Sequence, residues 1–222
     1  MELVLALIAG LTLGCIHAFD VDHLSAVAVF ASKHPSPQKA FRFGLMWGLG
    51  HTAALVVLGL FVTAFRFVIP PVVESLAELL VGILLVAIGG WVLRDVFKRK
   101  HIHIHQHTHD GVEHVHFHSH ANSIEHRHRH SLFFVGATHG LAGTASVMVL
   151  IPLAASQSLL TSAAFLLLFG VGTIVAMSFF AFLFGIMSTK IAQTTQLSKL
   201  QSIAGAVSII IGFFWIGNVL FS

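Results

Sequence analysis

Along the chain, apolar residues gather into six long runs, near residues 3 to 31, 43 to 68, 72 to 97, 132 to 154, 159 to 187 and 200 to 221. Each is about the 20 residues that carry a helix across ~30 Å of hydrocarbon, so the pattern predicts six transmembrane helices. Polar residues follow another rule between residues 101 and 130, which hold twelve of the seventeen histidines. There "HIHIHQHTH" and "VEHVHFHSH" alternate with a period of two on either side of Asp110 and Gly111, a strong hairpin signal. In that register paired positions sum to 221, which sets His107 opposite His114, His105 opposite His116, His103 opposite His118 and His101 opposite His120, with His109 on the same face. Opposed Cβ atoms lie ~5 Å apart, so paired imidazoles could share a metal. The alternative is a disordered tract that binds metal by histidine number alone.

Composition places the six runs in a bilayer. Of 222 residues, 56% are hydrophobic and 9% charged, against roughly a quarter charged in soluble domains. Glu2 stands where a signal peptide would carry basic residues, and the first apolar run continues past any cleavage site, so it is expected to be helix one of a multi-pass protein of the cell (plasma) membrane. Cys15 is the single cysteine, which excludes an intramolecular disulfide and a thiolate metal cluster. Of the twelve Lys and Arg, eleven fall in the first, third and fifth connections, and only Arg66 falls on the other side. The positive-inside rule then puts both termini outside and the histidine loop in the cytoplasm. The net charge of +3 comes from this flanking asymmetry, and no nucleic-acid partner is implied.

The chain also resembles itself. Gly14 and His17 recur as Gly136 and His139, and "GLGHTAAL" from Gly48 recurs as "GVGTIVAM" from Gly170, both at an offset of 122; Gly82, Gly89 and Trp91 fall near Gly205, Gly212 and Trp215. Three helices used twice must enter the membrane from opposite faces, because three is odd. The expected architecture is an all-α membrane protein with two inverted three-helix repeats, 1–100 and 131–222, around the loop 101–130, as in many secondary transporters.

One group of residues conflicts with its apolar setting. "HAFDVDH" puts His17, Asp20, Asp22 and His23 in the middle of the first run, where an ionised side chain costs about 3 kcal/mol unless it meets a partner, an ion or water. On a straight helix at ~100° per residue His17, Asp20 and His23 share an arc and Asp22 points away. Either Asp22 serves another partner, or the helix is unwound here so that irregular backbone lines a cavity. Imidazole nitrogen with carboxylate oxygen suits Ni, Co or Zn. His51, in "WGLGHT", is expected about a third of the way across from the cytoplasmic side, and His139, in "ATHGLAGT", at a similar depth. A lone transmembrane histidine is ordinarily a helix–helix hydrogen bonder, but beside the Asp/His group both become candidate ligands.

"HAFDVDH" resembles the H-x4-D-H signature of the nickel/cobalt transporter superfamily, with His17, Asp22 and His23 as its defining residues. "LGHT" at 49 to 52 looks like that family's second patch, and "HGLAGTASV" from His139 is similar to the shorter, urease-associated UreH-like branch, whose length this chain matches. Membership implies Ni²⁺ or Co²⁺ bound by His17, Asp22 and His23 with His51 near the path. The larger members have eight helices and an acidic motif where this chain has the apolar "HGLAGTASV", and the histidine-dense loop is similar to that of nickel/cobalt exporters.

The function expected from these observations is a permease for Ni²⁺ and/or Co²⁺ working in the uptake direction, through a midplane site of His17, Asp22 and His23 with His51 on the path and Asp20 tuning it. The metal is substrate, and no permanently bound cofactor is expected. The expected partners are the cation, the bilayer and a cytoplasmic metallochaperone that exchanges metal with the loop. No Walker A loop is present, so ATP hydrolysis by this chain is not expected. The alternatives are an exporter of the same fold and an intramembrane metalloenzyme, which would need an open metal position with a base or oxidant path; the chain has no HExxH motif.

Overall fold

The computed structural model describes residues 2–65, 70–99, 107–109, 112–114, 128–142, 158–192 and 196–221. The helices are α1 (Glu2–His17), α2 (Val21–Lys33), α3 (Pro37–Phe65), α4 (Pro71–Arg99), α5 (His128–Ala142), α6 (Leu159–Ala192) and α7 (Leu197–Phe221). In lipid the backbone must satisfy its own polar groups, which makes helix the available form for these apolar runs. Pro37 and Pro71 occupy the first positions of α3 and α4, where the missing N–H is not needed.

The chain is a helical multi-pass membrane protein. By length and composition α3, α4, α6 and α7 can each cross a bilayer, and α1 with α2 makes a fifth crossing if the bent pair counts as one span. Six crossings were expected. The difference lies in the fourth run, whose described apolar helix covers only Leu132–Leu141, about 15 Å at 1.5 Å per residue. The remainder of that run, from residue 143, lies outside the described residues.

The first apolar run breaks in its middle. Phe19 N–H donates to the Ile16 carbonyl and Asp20 N–H to the His17 carbonyl, closing α1 with a tighter turn. Asp20 then takes an extended ψ of 145° and caps α2, which leaves at 57° to α1. The edge of Phe19 meets the face of Phe180 in α6, with ring centroids 4.3 Å apart, and this contact braces the break.

α6 packs against both α1 and α3, α3 also packs against α5, and α4 packs against α7. α2 is wedged among α3, α4, α6 and α7. Backbones approach so closely that several positions admit no side chain. A Cβ on Gly14 would strike the Phe169 backbone, and one on Gly136 would strike the Trp47 backbone. Likewise Gly50 abuts Phe133 and Ala137, Gly172 abuts Leu11 and Cys15, and between α4 and α7 Gly82 meets Gly212 while Gly89 meets Gly205. Small residues at such crossings let dispersion contacts hold helices together where lipid supplies no hydrophobic drive. Trp47 and Phe169 are fully buried, while Leu5, Ile8, Val57, Leu160, Ile210 and Phe213 point outward to the lipid.

The far end of α2 is anchored. Lys33 forms an ion pair with Asp95 of α4 and sits 3.0 Å from the centroid of the Trp91 ring. The Gln201 side chain of α7 donates to the Ser32 carbonyl at 2.8 Å. A cation over an indole contributes roughly 0.5–2 kcal/mol.

Two short strands, β1 (His107–His109) and β2 (Val112–His114), pair antiparallel with His107 opposite His114, Thr108 opposite Glu113 and His109 opposite Val112. That register is the one expected from the Asp110-Gly111 turn. The expected pairs His105 with His116, His103 with His118 and His101 with His120 lie outside the described residues.

Candidate metal centre

The break brings the motif together by ending one helix and starting another. His17 closes α1, and Asp22 and His23 occupy the first turn of α2, where the positive end of the helix dipole favours a carboxylate. On this new helix both Asp22 and His23 turn into the core, at 4% and 0% exposure. His51 comes from the middle of α3 and His139 from the last turn of α5, both fully buried. The unwound alternative is thus the one adopted, and Asp22 also has another partner.

The hydrogen bonds assign each ring. Asp20 Oδ2 lies 2.8 Å from His17 Nδ1, so the carboxylate accepts that N–H and leaves His17 Nε2 with its lone pair. His51 Nε2, at 3.1 Å, then donates to His17 Nε2, and the lone pair of His51 is on Nδ1. Asp22 Oδ1 accepts from the His23 backbone N–H at 3.0 Å and from His23 Nδ1–H at 3.1 Å. Asp22 Oδ2 accepts from His139 Nε2–H at 2.9 Å. In this network His23 Nε2, His51 Nδ1 and His139 Nδ1 are buried with no hydrogen-bond partner among the described residues.

Three imidazole lone pairs in a buried core make the centre rich in acceptors and poor in donors. A neutral guest would leave most of them unmatched, whereas a borderline divalent cation takes several neutral imidazoles at once. Aspartates that fix the tautomer and the ring direction of histidines are the usual outer partners of such ligands. Asp20 acts from the edge, at 35% exposure against 1% for His17.

Ligand atoms fall into two sets within 4.8 Å: one each from His17, His23 and His51, and one each from Asp22, His23 and His139. The structure therefore brings together His17, Asp20, Asp22, His23, His51 and His139, all six candidates of the membrane part. Among the loop candidates, His107, His109 and His114 lie on described strands, while His101, His103, His105, His116, His118 and His120 lie outside the described residues.

Two aromatic neighbours were missed. Phe169 lies 5.4 Å from His17 and Trp47 lies 5.5 Å from His139, ring centre to ring centre. The signal was present, since 47 and 169 differ by the offset of 122 that relates His17 to His139.

Residues 5–214 match the family described as cytochrome C biogenesis protein transmembrane region. The chain belongs to that family. The transmembrane-region family match takes in all six membrane candidates. Urease accessory protein UreH of Bacillus sp. (strain TB-90) is 28% identical over 99% of this chain and 93% of its own length. Two Arabidopsis thaliana proteins, Chloroplast protein FOR GROWTH AND FERTILITY 1 and 2, are 27% and 25% identical over 91% and 93% of this chain. The chain spans 56% of the length of each plant relative. No solved structure matches.

Proposed function

We propose that this protein is a permease for divalent transition-metal cations, Ni²⁺ and/or Co²⁺, working in the uptake direction, with the loop holding metal on the cytoplasmic side. The observation that carries the reading is the buried centre with its unpartnered nitrogens on His23, His51 and His139. The resemblance of "HAFDVDH" to the nickel/cobalt transporter signature supports it, as does a relative named as a urease accessory protein. With one cysteine, thiol–disulfide exchange within the chain has no second sulfur.

The inverted repeat is part of this proposal. Its support is reciprocity: replacing each residue by its counterpart 122 along turns the Gly14–Phe169 contact into Trp47–Gly136, and the Gly50–Phe133 contact into Gly172–Leu11. At an offset of 123 the Gly82–Gly212 contact becomes Gly205–Gly89. Helix pairs agree, since α1 against α6 has α5 against α3 as its mate.

The test is transport into proteoliposomes of known orientation, with Ni²⁺, Co²⁺ and Zn²⁺ in competition. Saturable Ni²⁺ or Co²⁺ flux is expected; no flux of any of the three would overturn the permease. For orientation, cysteines placed at both ends of a Cys15→Ala chain should react from outside intact cells, with residues 101–130 protected. Labelling of that loop from outside would reverse the assignment.

A further inference from the structure

We infer that the membrane centre is two cation stations in series, with His23 as the ligand that passes the cation between them. The inference rests on the permease reading and adds the internal division of its path.

Among the described residues the candidate ligands divide into two triads that share only His23. The first triad, His17, His23 and His51, consists of imidazoles from α1, α2 and α3. The second, Asp22, His23 and His139, holds a carboxylate and joins α2 to α5. His23 is central: its ring centroid is 4.6 Å from that of His17, 4.9 Å from that of His51 and 4.5 Å from that of His139. A neutral imidazole has one lone pair, so His23 serves one station at a time. Two divalent cations at such spacing would also repel strongly in a medium of low dielectric. Occupancy therefore alternates, and His23 releases the cation at one station as it takes it at the other.

The carboxylate gives the second station a charge the first lacks, so the two stations offer the cation different ligand sets.

The experiment uses the full-length protein, Co²⁺ as the probe, and His139→Asn and His17→Asn, with titration calorimetry in detergent, visible absorption of the bound Co²⁺, and flux in proteoliposomes. The loop histidines are replaced by Ser in every sample so that only the membrane centre binds. Each single variant should still bind one Co²⁺ with affinity within a few-fold of the parent while flux falls roughly tenfold or more. The Co²⁺ spectra of the two variants should differ, because one retains the all-imidazole set and the other the set with a carboxylate. Loss of binding together with flux in His139→Asn would mean one undivided site and would overturn the inference, as would parental flux in that variant or identical spectra in both. Where Asn prevents insertion, Gln at the same position replaces it. Absence of Co²⁺ flux in the parent would remove the permease itself, an outcome separate from failure of the handover.

Discussion

The protein keeps its histidines in two settings that solve metal binding in opposite ways. In the membrane, two aspartates hold three buried imidazoles at 2.8–3.1 Å and His17 holds the fourth, His51, at 3.1 Å, so that each ring has its tautomer set by a named neighbour. In the loop, histidines alternate along a hairpin whose described ladder is three residues long on each side. Two strands of this kind are marginal in water without further support. The first setting offers few ligand atoms, fixed by burial and packing. The second offers many, on a register that bound metal would stabilise. In the proposed function passage falls to the membrane group and retention to the loop.

The largest effect separating them should come from His23→Ala. Removing the one side chain common to both triads should lower flux by roughly a hundredfold or more, in keeping with the loss of a metal ligand, whereas replacing His101, His103, His105, His107, His109, His114, His116, His118 and His120 by Ser should change initial flux by less than about twofold. Ni²⁺ entry into vesicles, measured for both, decides the matter. If the loop replacement stopped entry, the division of labour would be wrong.

An intermediate effect is expected from the aspartates. Asp22→Asn removes the charge shared by His23 and His139, and should weaken cation binding by roughly 10- to 100-fold. Asp20→Asn keeps an oxygen that can accept from His17 Nδ1 at the half-exposed edge, so its loss should be several-fold smaller. Calorimetry on the loop-substituted chain measures both, and an equal or larger loss for Asp20→Asn would reverse their ranking.

The smallest effect should be in the loop. In a His23→Ala background, replacing His107 and His114 together should weaken Ni²⁺ binding little more than replacing either, since they are ladder partners, while His107 with His120 should be closer to additive. Inserting one residue beside Asp110 should lower affinity without removing an imidazole, because a slip of one position turns a strand's histidines to the opposite face. Affinity that tracks histidine count alone would leave the loop a tract without register.

Much of this arrangement was legible in the chain, and the remainder depended on contacts that sequence does not encode locally. The apolar runs were legible because lipid demands long uninterrupted stretches, and α3, α4, α6 and α7 lie where those stretches fall. The motif residues were legible because charge in an apolar run needs a reason. The break was visible only as one of two choices, since helical geometry could say that Asp22 did not fit a straight rod but not how the chain would respond. Its bond to His139 joins residues 117 apart and depends on how α5 meets α2 and α3. The Lys33–Asp95 pair under Trp91 escaped notice for the same reason: each residue alone reads as an ordinary membrane-edge residue.

The break in the first crossing also fixes how the protein would respond to an electric field. α1 has 16 residues and α2 has 13, about 24 Å and 20 Å of helix at 1.5 Å per residue, so if the bent pair makes one crossing the histidine centre would lie near the middle of the bilayer. A divalent cation resting there has descended about half of the transmembrane voltage, equivalent to one elementary charge across all of it, or about 2.3 kcal/mol per 100 mV. Entry to the centre and exit from it are then two steps of similar electrical weight. An inside-negative voltage accelerates both inward steps and opposes both outward ones, and so the position of a single kink divides the voltage between entry to the centre and exit from it.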